Sequence, residues 1–335
     1  MSFKRLDPED FVVSSDSITA TLWSTDTPTL TSFYTSSIQE AGSSGDFYLS
    51  VYQTASSEDV AAVQFDVVYC DSLGSGSTLY NSIVAGNSPT KTMYGQYRSL
   101  ILEDENASFI FGTDNNVVTG DHFWVLSIER ARYKESLFPG SLNLTLSGSN
   151  GSIQLTDNSN DVSVNTFIGS SRVFQLVSGS NGSAITGGGY VANSGSYGLV
   201  FPDLGTILLN PYAISQSINV APSRSNNSEG FNNRGLYDAI SLGASFSLNS
   251  QETITSDYIF VRARNSEFNY SENPTFISGS TGEVIYDEFI NQPQTYITTV
   301  GFYNDSNELL AVAKMSRPLI KDFTKEALVR VKLDF

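Results

Sequence analysis

The chain has 335 residues and is 40% hydrophobic, enough to build one large or two medium domains and too apolar for a disordered chain. Its formal net charge of −17 has the wrong sign for phosphate contacts, which argues against DNA, RNA and anionic lipid as electrostatic partners. Charged residues make up only 16%, and Ser, Thr, Asn, Gly and aromatics fill the difference, a balance that favours strands joined by turns over helices.

Residues 1–30 read as an extended N-terminal arm, anchored by Phe11–Val13 and Ile18–Trp23, with Trp23 the main anchor. Ser36–Asp46 reads as a Gly/Ser-rich loop. Phe47, Leu49 and Val51 alternate along one strand, and Val63, Phe65, Val67 and Tyr69 alternate with Gln64, Asp66 and Val68 along the next. That period of two predicts half-buried strands. Ser88 and Pro89 open a helix whose apolar face carries Met93, Tyr94, Tyr97, Leu100 and Ile101. Glu103-Asp104-Glu105 is a poor end for its dipole.

Phe109–Phe111 and Phe123–Ile128 read as strands, and Arg130–Leu137 as one or two helical turns stopped by Pro139-Gly140. Ser141–Leu146 and Ser152–Thr156 form a hairpin around an Asn-Gly turn. The text Ser147-Gly148-Ser149-Asn150-Gly151-Ser152 returns as Ser178-Gly179-Ser180-Asn181-Gly182-Ser183, with a shorter cousin at Ser278–Gly282. The flanking strands do not repeat at a fixed period, so this is shared turn chemistry and not a solenoid. Gly187–Gly189 marks a loose region, and Gly205–Asn210 a short strand. Pro211–Ser217 reads as a helical turn and Ala221–Asn233 as a polar loop. A second amphipathic helix follows, with Leu236, Tyr237 and Ile240 on one side.

A soft boundary falls near Gln251. Beyond it, Tyr296–Tyr303 and Glu308–Met315 flank the turn Asn304-Asp305-Ser306-Asn307, a hairpin. The last strand has the cleanest alternation in the chain: Ala327, Val329, Val331, Leu333 and Phe335 on one face, Arg330, Lys332 and Asp334 on the other. The expected fold is therefore mainly β, with antiparallel sandwich or barrel-like domains, at most two or three short helices and an extended N-terminal arm. Its expected divisions are an arm over 1–30, a main β-rich domain over 31–250 and a C-terminal β-module over 251–335.

Chemistry is sparse. One histidine, His122, and one cysteine, Cys70, do not make a zinc site. His122 lies in a strand pattern and no Gly-x-Ser-x-Gly elbow is present, so ordinary packing is its expected role. Cys70 reads as a small core residue, and a single cysteine permits no intrachain disulfide. Asp157-Asn158-Ser159-Asn160-Asp161 places oxygens at alternating positions, but Val162 stands where an EF-hand needs glycine, so a polar turn is the better reading than a cation loop. Gly74-Ser75-Gly76 lacks the third glycine of a nucleotide loop. No pair of carboxylates stands out for glycoside hydrolysis. The expectation is no catalytic, cofactor-binding or metal residue and no enzyme activity. The N-terminus has no apolar signal core, and no stretch of about twenty apolar residues exists to span a bilayer.

Four segments carry a resemblance: Phe3-Lys4-Arg5-Leu6-Asp7-Pro8-Glu9-Asp10-Phe11; Arg130-Ala131-Arg132-Tyr133-Lys134-Glu135 with Pro139-Gly140; Thr298–Asp305 with Leu309–Lys314; and Asp322–Leu328. Together they resemble virion structural proteins of contractile-tailed phages that infect marine cyanobacteria, from end to end of the chain. The resemblance implies a structural component of the tail or baseplate, made in the host cytoplasm and assembled with other virion proteins as a homo-oligomer. It carries over no site residues. A capsid or neck component is one alternative. A receptor- or glycan-binding tail-fibre module is another, motivated by the seventeen tyrosines and the abundance of Asn and Ser.

Overall fold

The computed structural model describes residues 6–20, 36–42, 45–53, 55, 57–59, 61–76, 89–113, 116–162, 166–185, 195–224, 229–271 and 273–334. Trp23, Ser88, Gly187–Gly189 and Phe335 lie outside them. The protein is mainly β, 49% strand against 18% helix, and its sheets are antiparallel. Four α-helices are present among the described residues: α1 (Thr90–Leu102), α2 (Pro211–Ile218), α3 (Glu229–Gly243) and α4 (Asp287–Asn291). By internal contacts the chain forms two units, a larger one over Ala20–Glu252 and a smaller one that joins Met1–Thr19 to Thr253–Phe335.

The larger unit is built on one curled sheet. Its strands run in the spatial order Ser245–Ser247, Asn143–Gly148, Gly151–Asp157, Ser171–Ser180, Gly198–Phe201, Thr206–Leu209, His122–Ile128, Val63–Asp71, Gly45–Tyr52 and Ser36–Gly42. The expected loop at Ser36–Asp46 is thus partly strand. Ser36–Gly42 pairs antiparallel with Gly45–Tyr52, because a free strand edge supplies backbone partners whatever the side chains are.

Both faces of this sheet are covered, and that changes the alternation. Along Val63–Asp71, Phe65, Val67 and Tyr69 join one core while Val68 and Cys70 join a second. Gln64 is buried as well, so the strand is not half-exposed as its period of two suggests. In the neighbouring strand Trp124, Leu126 and Ile128 face the first core, Phe123 and Val125 the second. Sheets covered on both sides read as continuous apolar runs, and each fully buried large side chain contributes roughly 1.5–3 kcal/mol.

Helix α1 covers one face. Thr90, Tyr94 and Ile101 are buried, and Met93, Tyr97 and Leu102 pack beside them. Leu100 is exposed, contrary to expectation, because it falls at the margin of the Thr90–Tyr94–Tyr97–Ile101 stripe. Tyr94 packs on Phe109 and Phe123 with ring centroids 5.9 and 5.2 Å apart, and Phe109 meets Phe123 edge-on at 4.8 Å. The acidic end of α1 is stabilised in an unexpected way. Glu103 takes the left-handed conformation at φ 56°, and its carboxylate accepts hydrogen bonds from the Ser170 backbone N–H at 3.3 Å and hydroxyl at 3.1 Å.

Helices α2 and α3 contribute to the first core. Asn210 caps α2 by accepting a hydrogen bond from the Tyr212 backbone N–H at 3.1 Å, and Pro211 occupies its first turn. α3 begins at Glu229, inside the expected 221–233 loop. It buries Leu236, Tyr237 and Ile240 as their spacing predicts. Asn232 is buried in it, pairing through its side chain with the Ser223 backbone, while its carbonyl accepts a hydrogen bond from the indole N–H of buried Trp124 at 3.0 Å. The satisfied Asn232 amide lets this polar residue sit in a buried helix end, whereas the side-chain amide of neighbouring Asn233 is buried with no hydrogen-bond partner among the described residues. Arg130–Arg132 forms a single 3-10 turn.

Phe11–Ala20, Ser250–Ala263 and Ala327–Asp334, nearly all of them in the smaller unit, form a sheet with Ser250–Ala263 in the centre, and the first residues of that central strand also pair with Ser136–Leu137 of the larger unit. Ser250–Ala263 and Ala327–Asp334 pair from Ser256↔Asp334 to Ala263↔Ala327. The hairpin is as expected: Gln294–Tyr303 pairs with Leu309–Asp322 around a turn in which Asn304 Oδ1 accepts from the Glu308 N–H at 2.8 Å.

Candidate functional site

A dense polar cluster of the larger unit lies at one end of two paired antiparallel strands. Asp71 closes Val63–Asp71, and His122 opens His122–Ile128 directly opposite it in the register. Arg224, in the segment after α2, reaches both carboxylates. It donates to Asp71 through Nε at 2.8 Å and Nη2 at 2.6 Å, and to Asp121 through Nη1 at 2.8 Å. The His122 Nδ1 lies 2.7 Å from Asp121 Oδ1, and the Tyr212 hydroxyl donates to that oxygen at 3.1 Å. Asp71 also accepts from the Leu73 N–H at 2.9 Å and the Tyr69 hydroxyl at 3.3 Å.

Electrostatics follow from this geometry. Burial pushes the Asp121 carboxyl up, but the hydrogen bonds and charges of His122 and Arg224 outweigh it and hold it below its ordinary value. Burial, aided by Arg224, keeps His122 below the ordinary imidazole value despite the pull of Asp121. The bond to Asp71 raises the Arg224 guanidinium further, and burial raises the Tyr69 and Tyr212 phenols. An oriented His–Asp pair is half of a nucleophilic triad. Here the ring is buried between Tyr69 and Tyr212, with centroids 6.2 and 4.8 Å away, and among the described residues no serine, threonine or cysteine bonds to it. The cluster clamps α2 and the Arg224 segment to the end of the sheet. Sequence reasoning singled out His122 and missed Arg224. Its only signal is a lone cation in an Asn/Ser-rich stretch.

Cys70 is fully buried, with its thiol pushed well up by burial and by the charge of Asp71. In the Asp157–Asp161 turn the side-chain oxygens of Asp157, Asn158 and Asp161 are occupied by the protein itself, while the buried Ser159 hydroxyl has no hydrogen-bond partner among the described residues. Asp157 accepts from the backbone N–H groups of Gly140 at 2.9 Å and Ser159 at 3.1 Å. Asn158 accepts from Gln175 at 2.9 Å and Asp161 from Ala184 at 2.7 Å. These bonds make it a stitching turn. Among the described residues no group of three His, Cys, Asp or Glu side chains is arranged to hold a metal.

The smaller unit differs in kind. Seventeen of the twenty-five large apolar side chains exposed among the described residues belong to it, although it is the smaller part of the chain. Every side chain from Phe11 to Thr19 is exposed, on both faces of its strand. The hairpin exposes Tyr296, Tyr303, Leu309, Leu310, Val312 and Ile320. Both extended apolar clusters found among the described residues lie in the larger unit.

Charge and polar bonds hold the smaller unit instead. Asp10 is buried and pairs with Arg262 at 2.6 Å and Arg264 at 2.8 Å, while Asp7 meets Arg264 at 3.0 Å. Lys321 is fully buried and donates to the carbonyls of Asn265 at 3.0 Å and Asp322 at 3.1 Å and to Asn269 Oδ1 at 2.8 Å. Burial lowers its pKa. An apolar cavity of about 250 Å³ lies between Val261, Ala263, Ala327 and Val329 of the sheet and Ile297 and Gly301 of the hairpin. Beside it runs an open groove of about 470 Å³, walled by Ala313–Arg317 and by Leu328–Lys332. Its cations are Lys314, Arg317, Arg330 and Lys332.

No protein-family profile, curated protein or solved structure matches the chain. Among the described residues no helix is long and apolar enough to cross a membrane.

Proposed function

We propose that this protein is a structural component of a contractile-tailed phage particle, in the tail or baseplate, and that its function is assembly and not catalysis. The observation that carries this reading is the surface of the smaller unit: a first strand exposed on both faces from Phe11 to Thr19 and a long hairpin whose exposed side carries Tyr, Leu, Val and Ile, whereas the larger unit buries its own apolar residues well. Soluble monomers rarely leave so much apolar surface uncovered, and such patches mark interaction surfaces. The four sequence segments that resemble virion proteins supply the setting, and three of them fall wholly or largely in this same unit. A non-catalytic role is supported by the commitment of His122, Asp71, Asp121 and Asp157 to structural hydrogen bonds.

The partners on this reading are other virion proteins and further copies of the chain, and the location is the virion after synthesis in the host cytoplasm. The deciding experiment is localisation of the chain in intact particles by cryo-electron microscopy. Density for the smaller unit, buried against neighbouring subunits, is the expected result. Particles that lack the chain would refute the proposal.

A further inference from the structure

The sheet of the smaller unit has two free edges. Phe11–Ala20 is one edge strand and Ala327–Asp334 the other, and among the described residues each pairs only with Ser250–Ala263. Free edges present unpaired backbone donors and acceptors, and natural proteins cover or block them. Neither edge is blunted by proline, and the second lies along the groove.

The groove is chemically distinct from the rest of the molecule. Consecutive residues line both walls, Ala313–Arg317 on one and Leu328–Lys332 on the other, as strand edges do. Four cations stand on it in a chain that carries only 18 Lys and Arg against 35 Asp and Glu. Lys332 is neutralised by Asp334 at 2.8 Å, and Arg330 stacks over Tyr258 at 5.9 Å. Lys314 and Arg317 form no ion pair among the described residues. The opposite edge strand is exposed from Phe11 to Thr19 and carries Asp16 at its middle, and exposed Glu9 just before it lies 3.8 Å from Arg264, beyond a close ion pair.

We propose that the free edge of Phe11–Ala20 in one copy enters the cationic groove of a second copy and pairs with its Ala327–Asp334 strand. The inference rests on the assembly reading and names its partner. Backbone pairing continues the sheet from copy to copy, the apolar side chains of Phe11, Val12, Val13 and Ile18 lose water, and Glu9 and Asp16 meet Lys314 and Arg317. The two patches are different surfaces, so the contact is head to tail and propagates into a ring or an open helix.

Sedimentation of the purified full chain at low salt should show self-association that weakens as salt is added. Lys314→Glu with Arg317→Glu should weaken it about tenfold or more, because two attractive contacts become repulsive. Neither residue has an ion-pair partner to lose among the described residues, so folding should be unchanged. A second measurement does not depend on charge. Ser14→Cys and Leu328→Cys each add one accessible thiol, since Cys70 is buried. Mixed, they should form a heterodimer with a bifunctional maleimide that neither forms alone. A chain that is monomeric at every concentration, an unchanged charge-reversed variant, or no cross-link in the mixture overturns the proposal. A monomer still found in particles would sink this contact and leave the assembly reading standing.

Discussion

The Asp10 carboxylate lies 2.6 Å from the Arg262 guanidinium, across a sequence separation of 252, and is only 2% exposed. Arg264 holds its other oxygen at 2.8 Å. A buried carboxylate without such partners would be costly, so this fork pins the first strand to the central one. Burial pushes the Asp10 carboxyl up, yet the hydrogen bonds and charges of the arginines win and set it below its ordinary value of 3.8.

A folded-state pKa below the unfolded one contributes stability that is present above the unfolded value and lost as pH falls through the folded one. Asp10→Asn should therefore melt below wild type at neutral pH, and the gap should close as pH drops below about 3.8. Thermal melts across pH check this. A gap that widens in acid would show that the pair is not what the carboxylate contributes.

His122 has the same slope from a different cause. Burial lowers its pKa, so the unfolded chain binds a proton that the folded one resists. Stability should fall as pH drops through the ordinary imidazole value of 6.5 and level off below the folded value. His122→Gln should flatten the melting profile in that window.

Arg224→Met leaves Asp71, 3% exposed, without its cation and should destabilise the larger unit by about 2–4 kcal/mol. Adding Asp71→Leu should restore part of that loss, because the uncompensated charge goes too. Denaturant melts of both variants decide it. A double variant no better than the single one would mean that the clamp works through packing.

The last strand offers a test of faces. Ala327 and Val331 are buried and Val329 and Leu333 half-buried, while Leu328, Arg330, Lys332 and Asp334 are exposed. Val331→Asp should cost about 3 kcal/mol or more, and Leu328→Asp within about 0.5 kcal/mol, in the isolated protein. If Leu328→Asp melts normally but weakens self-association of the chain, its role is in the proposed contact between copies.

The repeated hexapeptide supplies the sharpest contrast. In the first copy Gly148 pairs with Gly151, so Ser149-Asn150 forms the turn. In the second Ser180 pairs with Ser183, so the turn moves one residue on, to Asn181-Gly182, at φ 51° and 77°. Asn181→Ala should cost about 1–2 kcal/mol, from left-handed strain and the lost hydrogen bond that the Asn181 side-chain oxygen accepts from Asn143 Nδ2. Asn150→Ala should stay within about 0.5 kcal/mol.

That contrast marks the division between sequence and structure. The sequence by itself determined the mainly β antiparallel class, the hairpin at Asn304–Asn307, the buried side of Ala327–Leu333 and the apolar side of α3. All of these are short-range periodicities or turn chemistries, which act wherever the chain goes. Tertiary structure decided the rest. Gly148 accepts no side chain because a Cβ there would meet the Ile218 carbonyl at 2.1 Å, so the end of α2 packs on the first turn. The second turn is stitched to Thr156 and Asn160. Identical text thus closes in two registers, since a one-residue slip swaps the faces and the surroundings select which face is buried. The same holds for Asp10, Arg224 and Lys321. Their partners lie on distant or irregular segments, and a buried charge is settled by whatever acceptor or donor the fold brings within reach, which no local pattern records.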